Sequence, residues 1–155
     1  MKHMCNVFSL KYCITFTNSR LAKIGVIQSD LCAFCNTGAE MIGHLFFYCV
    51  YSRAFWEEFQ SYWIALPKEQ RKLELKTILV GVTDTKCPLL NYLIVLGKLH
   101  LWNCHRTNSL PFFPSYKQLV KRKYKTERHI AAKYSNMKML EAKWKPVLKC
   151  NLLDT

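Results

Sequence analysis

The sequence predicts an all-α domain, small and helical, with a long basic helix at its C-terminal end. Three stretches carry that reading. From Ser52 onward Phe55, Trp56, Phe59, Tyr62, Trp63 and Leu66 recur at spacings of three and four, with Glu57, Glu58 and Gln60 on the opposite face. From Pro88 to about Arg106 the chain is apolar nearly all round, as a central helix would be. From Ser115 to Lys145 a helical pattern runs unbroken until Pro146. Only five glycines and five prolines in 155 residues argue against a loop-dominated architecture.

Taken in order, the first residues alternate weakly (Val7, Leu10, Tyr12, Ile14, Phe16) and reach a capping cluster, Thr17-Asn18-Ser19. Leu21, Ile24 and Gly25 then read as a short helix with a glycine stop. Residues 25–38 are turn-like, and 40–48 are short and apolar enough for a buried helix. The aromatic helix from Ser52 should end at Pro67. Lys68 to Lys76 is charged and leads into Ile78-Leu79-Val80-Gly81-Val82. Residues 109–114, Ser-Leu-Pro-Phe-Phe-Pro, form the proline-rich linker, which divides the chain into 1–113 and a basic 114–155.

Half of the residues are hydrophobic and 14% aromatic, so a sizeable core is available and wholesale disorder is excluded. The formal charge of +13 points to a polyanionic partner, nucleic acid or an acidic membrane. Eight cysteines would suggest disulfides in a secreted chain, yet the N-terminus lacks the apolar run and cleavage site of a signal peptide. The most apolar stretch, Pro88–Trp102, is too short to span a bilayer and carries Asn91, Lys98 and His100. The expectation is a reduced, intracellular chain of the nucleus or cytoplasm, not secreted and not in a membrane.

Four residues stand out. Cys32, Cys35, His44 and Cys49 follow the spacing C-x2-C-x8-H-x4-C, which suits a tetrahedral zinc ion. The first pair presents two thiolates from one tight turn, and Gly38 relaxes the connection to the second pair. His44 and Cys49 lie five apart, so a regular helix would leave them about 140° apart around its axis. Cys49 must therefore leave the helix at its last turn. Four protein ligands make the expected Zn2+ structural, with no open position for an activated water. Cys5, Cys13, Cys87, Cys104 and Cys150 show no paired spacing and read as buried thiols.

The run from Thr17 to Cys49 resembles the zinc-binding segment that follows the reverse transcriptase in LINE-type (non-LTR) retrotransposon polyproteins. The matching positions are Thr17, Asn18, Leu21, Lys23, Ile24, Gly25, Cys32, Cys35, Glu40, His44, Leu45, Phe46 and Cys49. Phe55-Trp56 and Leu99-His100-Leu101-Trp102-Asn103-Cys104 also look like the C-terminal tail of such polyproteins. The resemblance implies a zinc segment over 17–50 that helps hold template RNA or target DNA for the polymerase. It also names the polymerase part of such a polyprotein as a further partner.

No polymerase palm or endonuclease is expected, since the chain starts about 30 residues before Cys32. Two-metal nucleotidyl transfer needs clustered carboxylates, and the three aspartates, Asp30, Asp84 and Asp154, are widely separated. Neither a Gly-rich phosphate loop nor a serine elbow is present. A non-enzyme is expected. His100, Cys104 and His105 sit at helical spacing on an apolar element and read as core residues.

Charge is concentrated beyond the linker, where residues 114–149 hold eleven Lys or Arg and two Glu. On a helical projection Lys117, Lys121, Lys125 and Arg128 fall within about 80° of one another. Arg122, Lys133 and Lys143 widen the stripe, while Leu119, Val120, Ile130, Ala131, Tyr134 and Met137 take the other side. Lys123 and Glu127 can pair at i,i+4. The candidate phosphate-binding residues are Lys117, Lys121, Arg122, Lys125, Arg128 and Lys133, with Tyr116 or Trp144 available for base stacking. The functional expectation is a zinc-stabilised module that binds RNA and/or DNA. Its alternatives are a helical protein-interaction domain docking through Phe55, Trp56, Phe59 and Trp63, or an inert truncated retrotransposon fragment.

Overall fold

The structure, a computed structural model, describes residues 16–64, 73–81 and 88–148. The N-terminal alternation before Phe16 and Cys5, Cys13, Cys87 and Cys150 lie outside them, as do Leu66, Pro67 and Lys68 to Lys72. The architecture is all-α. It comprises α1 (Asn18–Lys23), a π-helical turn (His44–Tyr48), α2 (Val50–Ile64), α3 (Leu75–Val80), α4 (Pro88–Arg106), α5 (Phe113–Lys133) and α6 (Met137–Leu148). Among the described residues no helix is long and apolar enough to cross a membrane.

The all-round apolar pattern of α4 has the expected consequence. This helix is central, packed on by the π turn, α3, α5 and α6. Leu89, Leu90, Leu93, Ile94, Leu96 and Leu101 are all buried along it. Helix α2 brings its aromatic stripe to the same core. The Phe55 ring lies 5.0–5.7 Å from the rings of Trp56, His100, Phe113 and Tyr116, at inclined or edge-on angles that favour aromatic pairs. Phe55, Trp56 and Phe59 are thereby buried. Three of the four residues of the alternative docking face are thus inside the fold, while the side chain of the fourth, Trp63, lies outside the described residues.

Close packing of α2 on α4 depends on Gly97. A Cβ there would sit 2.6 Å from Trp56 Cη2 and 3.0 Å from Cζ3, well inside van der Waals contact. Trp56 is not free to retreat, because its indole N–H donates to the Phe46 carbonyl at 2.7 Å. Gly97→Ala gains about 1 kcal/mol of helix propensity against an overpacking cost of about 1–3 kcal/mol plus strain on a buried hydrogen bond. The clash wins. A lower thermal midpoint for Gly97→Ala is expected, and a raised one would show that α2 and α4 do not meet this way.

The long C-terminal helix is corrected by the structure. The pattern over Ser115–Lys145 is not one helix but two, α5 and α6, folded back on each other at residues 134–136. Ser135 takes a left-handed φ of 53°, and the Asn136 N–H returns to the Ala131 carbonyl at 2.8 Å, a helix-ending turn usually marked by glycine. Pro146 lies inside α6 rather than stopping the helix before it.

Glu127 holds the hairpin closed. Both its carboxylate oxygens accept from Lys143 Nζ (2.9 and 3.0 Å), and Oε2 also accepts the Trp144 indole N–H at 2.8 Å. Glu127 therefore pairs across the hairpin and not with Lys123. Lys143, with its ammonium 4.1 Å from the Tyr92 ring centroid, leaves the stripe it was expected to widen. The buried residues of α5 are Phe113, Tyr116, Val120 and Ala131, whereas Ile130 and Tyr134 are exposed. Tyr116 and Trp144 are both buried and offer no stacking surface.

Candidate metal centre

Residues 30–40 form a small loop closed at its base like a hairpin. The Cys32 N–H donates to the Gly38 carbonyl (2.8 Å) and the Glu40 N–H to the Asp30 carbonyl (2.7 Å), flanking an isolated bridge between Leu31 and Ala39. At the tip the Asn36 N–H returns to the Cys32 carbonyl (2.9 Å), with Asn36 at a φ of 53°. This tight turn aims Cys32 and Cys35 inward together.

The second pair comes from the π turn. The Cys49 N–H donates to the His44 carbonyl at 2.8 Å, an i→i−5 bond wider than that of an α-helix. Cys49 then leaves helical geometry (φ −58°, ψ 137°), and α2 begins at the next residue. The angular mismatch between His44 and Cys49 is thus removed in two ways, by a wider turn and by the exit of Cys49. Ser52 Oγ donates to the Leu45 carbonyl at 2.6 Å and ties the widened turn to α2. Gly38 gives room for the His44 ring, since a Cβ there would touch Cε1 at 3.4 Å.

The four ligand atoms lie within 4.8 Å of one another. Cys32 Sγ and Cys49 Sγ are 3.9 Å apart, and Cys35 Sγ and His44 Nε2 are 3.3 Å apart. Zn–S bonds of about 2.3 Å put tetrahedral thiolates about 3.8 Å apart, so the residues fit the ion. Backbone N–H groups of Phe34 and Cys35 point at Cys32 Sγ, and those of Tyr51 and Ser52 at Cys49 Sγ. Such donors favour thiolates. Burial nevertheless dominates, pushing the Cys32 thiol up to about 12 and raising that of Cys49 as well. At Cys35 burial is outweighed by the Thr37 hydroxyl and N–H together with His44, which bring it down to about 6. Zinc would supply the charge that lets both buried thiols ionise.

Residues 1–56 match the zf-RVT family, described as zinc-binding in reverse transcriptase. The matched span contains all four ligand residues. No curated protein and no solved structure matches the chain. Family and geometry therefore agree on a zinc-binding segment with Cys32, Cys35, His44 and Cys49 as a compatible structural site, while α3 to α6 lie beyond the match.

The matched segment is tied to α4 through Glu40. Its carboxylate is completely buried and accepts the Asn18 N–H (2.8 Å), the Ala33 N–H (2.8 Å) and His105 Nε2 (2.9 Å). One side chain thus caps the N-terminus of α1, holds the Cys32–Cys35 turn and anchors both to the end of α4. The Asn18 amide adds a bond to the Leu31 carbonyl at 2.7 Å, next to Cys32. Thr17 occupies the N-cap position of α1, but its side chain makes no capping bond. The sequence reading missed the role of His105, whose ring also stacks on Trp102 at 4.9 Å. His100 and Cys104 are buried, with Nε2 and Sγ 3.7 Å apart, in keeping with a core histidine and a buried thiol.

Of the candidate phosphate-binding residues, Arg122, Lys125, Arg128 and Lys133 are exposed on α5, and Lys117 and Lys121 are half-buried at the edge of its packed face.

Proposed function

We propose that the chain is a zinc-stabilised nucleic-acid-binding module of a LINE-type retrotransposon polyprotein, without catalysis of its own, acting beside the polymerase in the nucleus or cytoplasm. The observation that carries this reading is the α5–α6 hairpin, where ten Lys or Arg face two Glu over residues 113–148. One acid, Glu127, is committed to Lys143 and Trp144. Helix α5 is anchored by Tyr116 and Val120, so its cations are carried on a fixed rod rather than on a loose tail. The burial of Phe55, Trp56 and Phe59 weighs against the protein-docking alternative.

The test is the salt dependence of binding to RNA and DNA. Each phosphate contact releases counterion, so log K falls with log salt by about 0.9 per contact on duplex DNA and about 0.7 on single strands. Joint replacement of Lys117, Lys121, Lys125 and Arg128 by Ala should flatten the slope by about 3 to 4 units. Arg20, Lys23, Arg53 and Lys76 are exposed cations on other elements and make a matched control. Equal losses from both sets would assign the binding to net charge alone, and no binding by the unaltered protein at low salt would overturn the reading.

A further inference from the structure

We propose that the corner of the α5–α6 hairpin receives an unpaired nucleobase, with Tyr134 as its stacking platform; this rests on the nucleic-acid reading above and extends it to single strands. Tyr134 is 70% exposed, Met139 69% and Ile130 50%, an unusual concentration of large uncovered apolar side chains on one small element. They border an open groove of about 650 Å³ whose floor is Ala131 and Leu140. The groove lies between the helices of the hairpin, away from the zinc site.

Charge selects the occupant. The hairpin carries the surplus of eight cations already counted, so a second copy of the chain would meet like charge. Glu127 reaches the groove, but its charge is balanced by Lys143. Lys133, the last of the α5 cations, holds its ammonium 5.9 Å from the Tyr134 ring centroid. A base laid on that ring would place its own phosphate within the reach of Lys133. A base supplies the flat apolar face that Tyr134, Ile130 and Met139 lack, and its phosphate supplies the anion. A paired base has no free face to offer, which makes this corner selective for single strands.

The experiment uses the full chain with zinc, a single-stranded RNA, a single-stranded DNA and the DNA duplex of the same sequence. Tyr134→Ala should weaken single-strand binding about 5- to 150-fold, the range expected for loss of one stacked base. It should leave duplex affinity and the salt slope unchanged, because no phosphate contact is removed. Tyr134→Phe should restore single-strand binding. Parallel losses on the RNA and DNA strands would assign the site to the base, whereas a loss on RNA alone would point to the ribose and overturn stacking as the cause. Single-strand binding indifferent to Tyr134→Ala, or an equal loss on the duplex, overturns the proposal while leaving the cationic rod standing. Dissociation of a dimer by Tyr134→Ala would assign the groove to a second copy instead. Absence of all binding by the unaltered chain defeats the nucleic-acid reading itself.

Discussion

Replacing Cys49 by Ser will dissolve the loop of residues 30–49 while leaving most of the helical core in place. Cys49 lies at the junction of the π turn and α2, so its loss removes one of four donors and the reason for the i→i−5 widening. Apparent metal-binding free energies of about 10–16 kcal/mol in small zinc modules near neutral pH are folding free energy, because the site does not exist in the unfolded chain. Apart from zinc, the loop is held by the Glu40 carboxylate and by few buried apolar side chains. Leu31 and Met41 are exposed, and apart from the ligands Cys32 and Cys49 its buried apolar members are Phe34, Leu45 and Phe46. Helices α4, α5 and α6, by contrast, are packed together through Leu93, Tyr116, Val120 and Trp144, side chains that lie outside residues 30–49. Far-ultraviolet circular dichroism should therefore retain most of its helical signal, while amide exchange in residues 30–49 becomes rapid. Global unfolding on zinc loss would contradict this division. Acidification should act in the same direction as the mutation, because zinc competes with protons for the raised thiols of Cys32 and Cys49.

Glu40→Ala should be nearly as damaging, although Glu40 touches no metal. Its removal leaves the N–H groups of Asn18 and Ala33 and the His105 ring without their acceptor in a fully buried position. Breaking a buried, hydrogen-bonded pair by removing one partner costs about 3–5 kcal/mol. For a chain of this size that lowers the thermal midpoint by about 6–20 °C. Glu40→Gln keeps an acceptor and should cost less. A double-mutant cycle with His105→Ala should show strong coupling, and full additivity would mean that the pair is incidental. The pH dependence has a definite sign. Burial raises the Glu40 carboxyl, but His105, Ala33 and Asn18 outweigh it and hold it below the ordinary carboxylate value. Its contribution is therefore fully present above the unfolded value of about 4.3 and is lost as pH falls through the lower folded value.

Local signals in the sequence served well where structure is local. The spacing of Phe55, Trp56 and Phe59 and the apolar run from Pro88 gave α2 and α4, and α4 has the bounds its pattern implied. The Cys–Cys and His–Cys pairs gave the cluster that is compatible with a structural zinc site, and the five-residue interval even announced that Cys49 had to leave its helix. What was not legible has a common physical cause. The reversal at Ser135 uses a left-handed residue that is not glycine, so no composition signal interrupts the helical pattern. Once the chain reverses there, Glu127 meets Lys143 in place of Lys123, and Ile130 and Tyr134 turn outward. Glu40 and His105 are 65 residues apart, and a pairing at that distance leaves no local trace in either segment. A lone acidic residue inside an otherwise apolar stretch was the available hint.

The order of residues 30–49 rests on the cluster of Cys32, Cys35, His44 and Cys49 acting as a structural zinc site. Elemental analysis of protein purified without chelator, beside the Cys35→Ser and His44→Ala variants, tests this most directly. One zinc per chain in the unaltered protein and a sharp loss in both variants is the predicted result. A folded, unaltered protein that contains no zinc, or variants that keep a full equivalent, would contradict it.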